Sequence, residues 1–242
     1  MSGAFAFRTG SVTHVGLIRK VNEDSVLALP EAGVWAVADG MGGYGGGDVA
    51  SRAIVKSLAT LEPRPSAAEL LSDFERKVIA VNAELRALAK TKDAVALGAT
   101  LVALLVHGGH YACVWCGDSR AYLARNGAFE QVSRDHSEVQ ELIDRGVLSE
   151  EEARTWPRRN VVTRAIGVTD TVELDLVDGP LHDADRFLLC SDGLTAHVSN
   201  HEIAALLTGG GPQAVCDELL GLTLRRGATD NVSIVVVDCA ES

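Results

Sequence analysis

Hydrophobic and polar residues follow two patterns in the first 90 positions of the chain. Three short apolar or alternating runs bounded by polar residues or glycine predict strands, at FAFRTGSVTHVG, SVLAL and GVWAVAD. Residues 48–61 predict a helix, and within residues 67–89 large apolar side chains recur at steps of three and four. So short a periodic run favours a helix with one face packed on a sheet over a coiled coil.

The remainder of the chain returns to short strand-like runs separated by helical segments. Further strands are predicted at ATLVALLV, YACVWC, AYLAR, AFEQV, VELDLVD, RFLLCSD and VSIVVVD. Helices are predicted near residues 138–145, 149–155, 202–207 and 212–225. The sequence HGGH at residues 107–110 predicts a hairpin turn. Hairpin-linked strands combined with paired helices favour an α+β sandwich.

Composition narrows the class of protein. A chain of 242 residues with 47% hydrophobic residues can bury a large core, and no linker or repeat divides it, so we expect one domain over residues 1–242. The net charge of −11 opposes binding to nucleic acid or to anionic membranes. No signal peptide is recognisable, and HGGH interrupts the uncharged residues 94–117, so we expect no membrane span.

The cysteines favour a reducing compartment. Their number, five, is odd, and no secretory signal accompanies them, which predicts reduced thiols and a cytoplasmic location. Cys113 and Cys116 have the spacing of half a zinc or redox site, but residues three apart on a strand face opposite sides. We therefore expect both to be structural.

The stretch VADGMGGYGGG, residues 37–47, joins a strand end, an aspartate and six glycines. Its GMGGYG matches the dinucleotide-binding pattern G-x-G-x-x-G, but Asp39 would repel a pyrophosphate at this place. A P-loop is excluded because no Gly-Lys-Ser/Thr sequence follows. The glycines still permit a ligand to approach closely, and the acid favours a cation.

Asp39 belongs to a recurring pattern in which an aspartate beside glycine or asparagine adjoins an apolar strand. The pattern returns at Asp192 in RFLLCSDG and at Asp230 in ATDN, and Asp118 in YACVWCGDS is a close relative. One such aspartate usually accepts hydrogen bonds in a turn or caps a helix. Four of them, together with NED at residues 22–24, favour carboxylates that converge on hard divalent cations.

Five short motifs carry a resemblance to a known family: RKVNED (residues 19–24), DGMGG (39–43), GDSR (117–120), SDGL (191–194) and TDN (229–231). In this order and at these intervals, the chain resembles the PP2C (PPM) family of metal-dependent serine/threonine protein phosphatases in its compact bacterial form. Each motif alone is weak, but the five in register span nearly the whole chain. The resemblance implies a four-layer α-β-β-α sandwich, with two central antiparallel sheets and Mn²⁺ or Mg²⁺ at one end.

The resemblance also implies ligands for two tightly bound metal ions. Asp39 resembles the carboxylate that bridges the two ions, and Gly40 resembles the residue that contributes a carbonyl oxygen. The remaining ligands would be Asp192 and Asp230 for the first ion, and Glu23 and Asp24, partly through water, for the second.

Other positions are assigned by the same resemblance. Asp118, together with Asp192, resembles a weaker third metal site, and Arg19 resembles the arginine that grips the substrate phosphate. Asn231 resembles a residue that supports the ligands from behind. The partners implied are phosphorylated proteins and a cognate Ser/Thr kinase, and we expect a monomer.

The charges of these residues favour metal-dependent hydrolysis independently. Six clustered carboxylates would repel each other and any phosphate in the absence of cations. Divalent ions would offset that charge, lower the pKa of a bound water and stabilise the attacking and leaving oxygens. The guanidinium of Arg19 offers a planar fork for phosphate oxygens. The expected reaction is direct hydrolysis of a phosphomonoester by metal-activated water, without a phosphoenzyme.

Three functions remain open at this stage: a protein phosphatase, a phosphatase of a small phosphorylated molecule, and a non-catalytic binding module. Some family members carry a histidine, the proposed proton donor, where this chain has Met41. Residues 144–165 resemble the family's flap beside the active site. His197 and His201 have the spacing of a helical metal pair, but a helix start between them favours two surface residues.

Overall fold

The computed structural model describes residues 5–42, 46–91 and 97–241. Its strands, in chain order, are β1 Phe5–His14, β2 Asp24–Leu29, β3 Val34–Met41, β4 Gly98–Ala99, β5 Leu101–His107, β6 His110–Cys116, β7 Arg120–Arg125, β8 Ala128–Gln131, β9 Asp175–Pro180, β10 Arg186–Cys190 and β11 Val232–Glu241. Its α-helices are α1 Gly47–Leu58, α2 Ala67–Thr91, α3 Glu138–Asp144, α4 Glu150–Arg154, α5 Asp192–Thr195, α6 Asn200–Leu207 and α7 Pro212–Arg225. A 3₁₀ turn occupies Pro30–Ala32.

Two antiparallel sheets form the centre of the molecule. One has the strand order β1-β11-β10-β7-β8, and the other has the order β2-β3-β5-β6-β9, with β4 paired to β3. Neighbours that are distant in sequence, such as β1 and β11, therefore lie side by side. The same pairing brings chain segments from both ends of the sequence to one end of the sandwich.

Three apolar clusters separate four layers. Along β3, Trp35 and Val37 belong to the cluster between the two sheets, whereas Ala36 and Ala38 belong to the cluster under α1 and α2. This alternation is the period of two expected for a strand buried on both faces. A third cluster lies between the other sheet and helices α5, α6 and α7. The predicted four-layer α-β-β-α sandwich is confirmed.

Most predicted elements are present close to their expected bounds. The helix predicted at residues 67–89 is α2. The apolar repeat that predicted it runs Leu71, Phe74, Val78, Val81, Leu85 and Leu88; its first and last members are half-buried, whereas Leu70 and Ala89 are buried. The HGGH hairpin joins β5 to β6, and its Gly108 and Gly109 have φ values of 55° and 80°. Ser199 begins α6 with a capping box, as the helix start between the two histidines predicts.

Some elements differ from the sequence prediction, which gave ATLVALLV as one strand where the structure has β4 and β5. The strand expected over VELDLVD begins only at Asp175, because Val172 and Leu174 pack against the helix-side core before the chain joins the sheet. Helix α5, which starts at Asp192, was not predicted. It is four residues long, which is too short for a periodic apolar pattern to reveal it.

Cys113 and Cys116 face opposite sides of their strand, as predicted, and the uncharged residues 97–117 contribute β4, β5 and β6. Cys113 lies in the cluster between the sheets and Cys116 in the cluster under the helices, so the two thiols face opposite sides of β6. All five cysteines are free and buried, and burial raises the pKa of Cys113 and Cys116 to about 12. Among the described residues, no helix has the length and apolarity that crossing a membrane requires.

Candidate metal centre

A cavity of about 310 Å³ opens at one end of the sandwich. Eight of the residues predicted from the sequence line it: Arg19, Glu23, Asp39, Gly40, Asp118, Asp192, Asp230 and Asn231. Strand ends bring them together, because β2 begins, β3 and β10 end, and β11 begins at this place. Asp24 does not line the cavity; it lies behind the wall, directly opposite Asp39 on the neighbouring strand.

Asp39 lies at the centre of the carboxylate group. The backbone N–H of Asp39 donates to the Thr100 hydroxyl at 3.3 Å, and the carbonyl of Asp39 accepts from the Thr100 N–H at 2.8 Å, which fixes the strand end. Burial raises the pKa of the Asp39 carboxyl well above its ordinary value, and four neighbouring carboxylates raise it further. Those neighbours are Asp24, Asp192, Asp118 and Asp230.

The buried carboxylates beside Asp39 are perturbed in the same direction. Burial raises the pKa of Asp24 to about 6, against the opposing effect of hydroxyl donors from Ser233 and Ser191. Burial also raises the pKa of Asp118 to about 8, with Asp192 as the next cause. The pKa of Asp192 is raised as well, by burial and then by Asp230. Charge repulsion within this group therefore opposes the simultaneous ionisation of all its carboxyl groups, although a hydrogen bond with Asp39 favours the ionised forms of Asp24 and Asp192.

One buried oxygen in this group has no hydrogen-bond partner. Asp24 is 7% exposed, and its Oδ2 accepts from the Ser191 hydroxyl at 2.8 Å, while its Oδ1 is buried without a partner. A buried carboxylate oxygen that accepts nothing is costly, and a cation or a cation-bound water would satisfy it.

Arg19 supplies positive charge at the mouth of the cavity. Its Nη2 lies 2.7 Å from Oδ2 of Asp230, and that pairing is the largest cause of the raised pKa of Arg19. The guanidinium is about half exposed, with 53% of the side chain accessible. It can therefore meet an incoming anion without first leaving a buried position.

Asn231 holds the segment that carries Arg19 and Glu23. Its side-chain amide donates to the carbonyls of Val15 and Val21 at 2.9 and 3.0 Å, and its Oδ1 accepts from the backbone N–H of Glu23 at 2.8 Å. Asn231 is 5% exposed, so its side chain makes these partly buried bonds from inside the fold. The residue positions two candidate site residues through the backbone.

Two glycines of the glycine-rich stretch are required by close backbone contact. A Cβ on Gly40 would lie 2.2 Å from the Gly47 carbonyl oxygen and 2.5 Å from that of Glu23. A Cβ on Gly47 would in turn lie 2.7 Å from the Gly40 backbone, and the Gly47 N–H donates to Oε1 of Glu23 at 3.2 Å. The glycines therefore let α1 begin directly against the end of β3. Residues 43–45 of the stretch lie outside the described residues.

The side chains of this site suit hard divalent cations, because they offer several kinds of oxygen ligand. The donors are carboxylates, one of them with an unpartnered oxygen, and such ligands suit Mg²⁺ and Mn²⁺. In the described part of the chain, no three Asp, Glu, His or Cys side chains are already grouped to hold one ion by themselves. Asp230 is instead paired with Arg19. Bound ions would therefore also need backbone and water oxygens, as the assignments of Gly40, Glu23 and Asp24 anticipate.

Five further residues line the cavity that were not among the predicted metal ligands, phosphate-binding or supporting residues: Met41, Gly42, Thr100, Asn160 and Val162. Thr100 links two walls, because its hydroxyl is 2.7 Å from that of Ser119 and it also bonds the Asp39 backbone. Asn160 and Val162 belong to the predicted flap, residues 144–165.

His136 is another residue whose structural role was not predicted from the sequence. Its Nδ1 accepts from the Gly117 N–H at 3.1 Å, and its Nε2 lies 3.1 Å from Oδ2 of Asp175, so a proton on Nε2 satisfies both contacts. Its backbone carbonyl accepts from the Thr163 N–H at 2.8 Å. His136 thus connects the turn that carries Asp118 to the end of the flap segment.

The two other histidines do not form a metal pair. His201 is exposed on α6. His197 precedes α6, and its Nε2 is 3.1 Å from the Thr229 hydroxyl. The prediction of two surface residues holds for His201, and His197 is half-buried.

Comparison with known proteins identifies the family. The sequence profile of protein phosphatase 2C matches residues 19–214. The serine/threonine protein phosphatase PstP of Mycobacterium tuberculosis is 38% identical over 227 residues, which is 93% of this chain but only 44% of PstP. The serine/threonine phosphatase stp of Listeria monocytogenes is 35% identical over 235 residues, with 93% of each chain covered.

Solved structures agree with that assignment. The M. tuberculosis phosphatase PstP/Ppp superposes with a TM-score of 0.91 at 38% identity, covering 98% of this chain and 99% of that one. The PstP catalytic domain in complex with two manganese ions gives a TM-score of 0.89 at 36% identity, covering 98% and 100%. PppA, a regulatory component of T6SS in Pseudomonas aeruginosa, gives 0.89 at 41% identity, covering 96% and 97%. This chain belongs to the protein phosphatase 2C family.

Proposed function

We propose that this protein hydrolyses phosphoserine and phosphothreonine in proteins, with Mn²⁺ or Mg²⁺ as the required cofactor. The observation that carries the proposal is the cavity in which mutually repelling carboxylates surround Asp39 while Arg19 stands at the mouth. The relatives support the substrate class, since PstP and stp are named serine/threonine phosphatases. The manganese-bound PstP catalytic domain supports the cofactor.

The site residues divide into three roles. Asp39 would bridge two ions, and the Gly40 carbonyl would contribute a further oxygen. Arg19 would bind the substrate phosphate through charge-assisted hydrogen bonds. The other proposed metal ligands are Asp192, Asp230, Glu23 and Asp24, with Asp118 and Asp192 at a weaker third ion.

The chemistry follows from what these groups do around the phosphate. Bound divalent ions supply a more acidic water and offset the negative charge of the carboxylates. The Arg19 guanidinium orients the phosphate and neutralises part of its charge. To do so, the guanidinium must leave its ion pair with Asp230 and pair with the substrate phosphate instead. The oxygen of water bonds to phosphorus as the bond from phosphorus to the serine or threonine oxygen breaks. The leaving oxygen takes up a proton, and the products are the free hydroxyl and inorganic phosphate.

Several finer features belong to the same proposal. Residues 1–242 form a single phosphatase domain, a prediction supported by the full coverage of the PstP catalytic domain. Residues 144–165 act as a flap that contacts substrate, since Asn160 and Val162 line the cavity. The protein acts as a monomer that reverses a Ser/Thr kinase, and five free buried cysteines support a cytoplasmic location.

A substrate panel tests the proposal. Purified protein is incubated with phosphoserine, phosphothreonine and phosphotyrosine peptides and with common phosphorylated metabolites, with and without Mn²⁺. We expect phosphate release from the first two peptides only when Mn²⁺ is present. Faster release from a metabolite would indicate a small-molecule phosphatase, and no release from any compound would indicate a non-catalytic binding module.

A further inference from the structure

The segment that carries Arg19 exposes an unusual amount of apolar surface. Within the Arg19 loop (residues 15–23), Leu17 is 59% exposed, Ile18 is 68% exposed and Val21 is 49% exposed. Over the described residues, eight large apolar side chains are exposed, and three of them lie in these five consecutive positions. We refer to Leu17, Ile18 and Val21 as the apolar lip.

Backbone contacts hold this loop in place from behind. The Leu17 N–H donates to the Ala228 carbonyl at 2.9 Å, and the Gly16 N–H donates to Nδ1 of His14 at 2.9 Å. Gly16 has a φ of 79°, and a Cβ there would lie 2.2 Å from the Asp230 carbonyl oxygen. The loop therefore packs tightly against the segment that enters β11.

Asn231 fastens the two sides of the same loop. Its amide bonds to the carbonyls of Val15 and Val21 bracket the lip. The apolar side chains thus project from a backbone that is held by hydrogen bonds from the buried Asn231 side chain, and a rotation of the loop would break those bonds. Single exposed apolar residues are common, whereas a cluster on a fixed loop beside a cavity marks a binding surface.

The position of the lip identifies its occupant. Arg19 lies between Ile18 and Val21 and lines the cavity, so a phosphate bound by Arg19 places the adjoining polypeptide against the lip. An extended peptide advances roughly 3.3–3.6 Å per residue, so a side chain that contacts the lip belongs to a residue close in sequence to the phosphoresidue. A compact phosphorylated metabolite has no side chain to place there.

We propose that the apolar lip binds an aliphatic side chain of the substrate polypeptide, one or two residues from the phosphoserine or phosphothreonine. This inference rests on the proposed function, because it deepens the choice of substrate at the same site. The occupant is a phosphorylated protein segment with leucine, isoleucine or valine beside the phosphoresidue. The surface contributes to selection among phosphoproteins, while Arg19 and the carboxylates act on the phosphate common to all of them.

Two phosphothreonine peptides that differ only in their flanking residues test the inference. One carries leucine on each side of the phosphothreonine, and the other carries serine. With Mn²⁺ present, the wild-type protein should have a kcat/KM about tenfold higher for the leucine peptide, the size of discrimination that a small apolar contact gives. The Leu17→Ser/Ile18→Ser variant should reduce that preference to less than about twofold.

Ile79→Ser is the matched control, since Ile79 is 58% exposed on α2, away from the Arg19 loop. It should keep the wild-type preference. Equal rates on both peptides in the wild-type protein, or an unchanged preference in the double variant, would overturn the inference and leave the proposed function intact. An equal loss on both peptides in the double variant would also overturn it, because that result indicates damage to the cavity.

Oligomeric state and activity supply two further outcomes. If the wild-type protein is a dimer by light scattering and the double variant is a monomer, the lip is a contact between two copies and the inference is wrong. If the wild-type protein releases no phosphate from either peptide with Mn²⁺, the proposed function fails and the inference fails with it.

Discussion

Asp39 is the residue where the electrostatic conflict in this structure is greatest, because burial and four other carboxylates all raise its pKa. A cation resolves the conflict, and so does a proton. The first prediction follows from this. Asp39→Asn should lower metal-dependent phosphatase activity by more than about 100-fold, since even residues that only support metal ligands cost 10- to 100-fold.

The same substitution should have the opposite effect on the metal-free protein. The substitution removes a carboxyl group that, without metal, must either ionise in a buried acidic place or take up a proton there. Metal-free Asp39→Asn should therefore melt at a higher temperature than the metal-free wild type, and Mn²⁺ should raise its melting temperature less. Differential scanning calorimetry with EDTA and then with Mn²⁺ measures both effects. A variant that Mn²⁺ stabilises as strongly as the wild type would remove Asp39 from the metal site.

Arg19 gives a second prediction at the residue scale. Arg19→Ala should raise KM for a phosphopeptide about tenfold, because charge-assisted hydrogen bonds to phosphate are lost. Mn²⁺ affinity should not fall, since the substitution frees Asp230 from its ion pair. Titration calorimetry with Mn²⁺ and steady-state kinetics on one protein preparation separate the two quantities. A weakened Mn²⁺ affinity with an unchanged KM would contradict the assignment.

At the scale of elements, the sequence predicted best those strands and helices whose pattern lies within a single short segment. Alternating strands, the HGGH hairpin and the α2 stripe are local patterns, and their elements form where predicted. The convergence of the aspartates could also be predicted, because each of them adjoins a strand and strand termini lie together at the edge of a sheet. The roles of Thr100, His136 and Asn160 were not readable, because each depends on contacts between segments that are distant in sequence.

Asn231 belongs to a local sequence motif, but its role depends on contacts between distant segments. It supports a third prediction. The motif TDN indicated its importance, but only the fold places it between the backbones of Val15, Val21 and Glu23. Asn231→Ala should lower the free energy of unfolding by roughly 2–4 kcal/mol, because it removes three hydrogen bonds of a buried side chain and leaves their partly buried backbone partners unpaired.

Asn22→Ala is the comparison for that substitution. The Asn22 side chain makes two hydrogen bonds, to Thr13 and from the Asp24 N–H, in a more exposed place. Its loss should lower the free energy of unfolding by only about 1 kcal/mol. Urea denaturation of both metal-free variants measures the difference. Equal values would mean that Asn231 does not hold the Arg19 loop.

At the scale of the whole molecule, the acidic cluster makes stability depend on pH in an unusual direction. The folded-state pKa values of Asp24 and Asp118 are about 6 and about 8, above the ordinary value of 3.8. A raised folded-state pKa contributes stability that is fully present below about pH 4 and is lost as pH rises through the folded-state value. Other carboxylates have lowered pKa values and act in the opposite direction, so a comparison with a variant is needed.

Asp118→Asn isolates this contribution and gives the fourth prediction. Without metal, the wild type should lose at least about 1 kcal/mol of unfolding free energy relative to Asp118→Asn between pH 5 and pH 8.5. With Mn²⁺ the wild-type dependence should weaken or reverse, because metal binding requires ionised carboxylates. Urea denaturation across that pH range provides the values. A difference between the two proteins that does not change with pH would refute the electrostatic account.

The most direct test of the metal centre is anomalous diffraction from a crystal grown with Mn²⁺. Data collected at the manganese absorption edge should contain two strong peaks inside the cavity, both next to the Asp39 carboxylate, and a crystal of Asp39→Asn should lose at least one of them. A cavity without anomalous peaks, or peaks only at places remote from Asp39, would contradict the account.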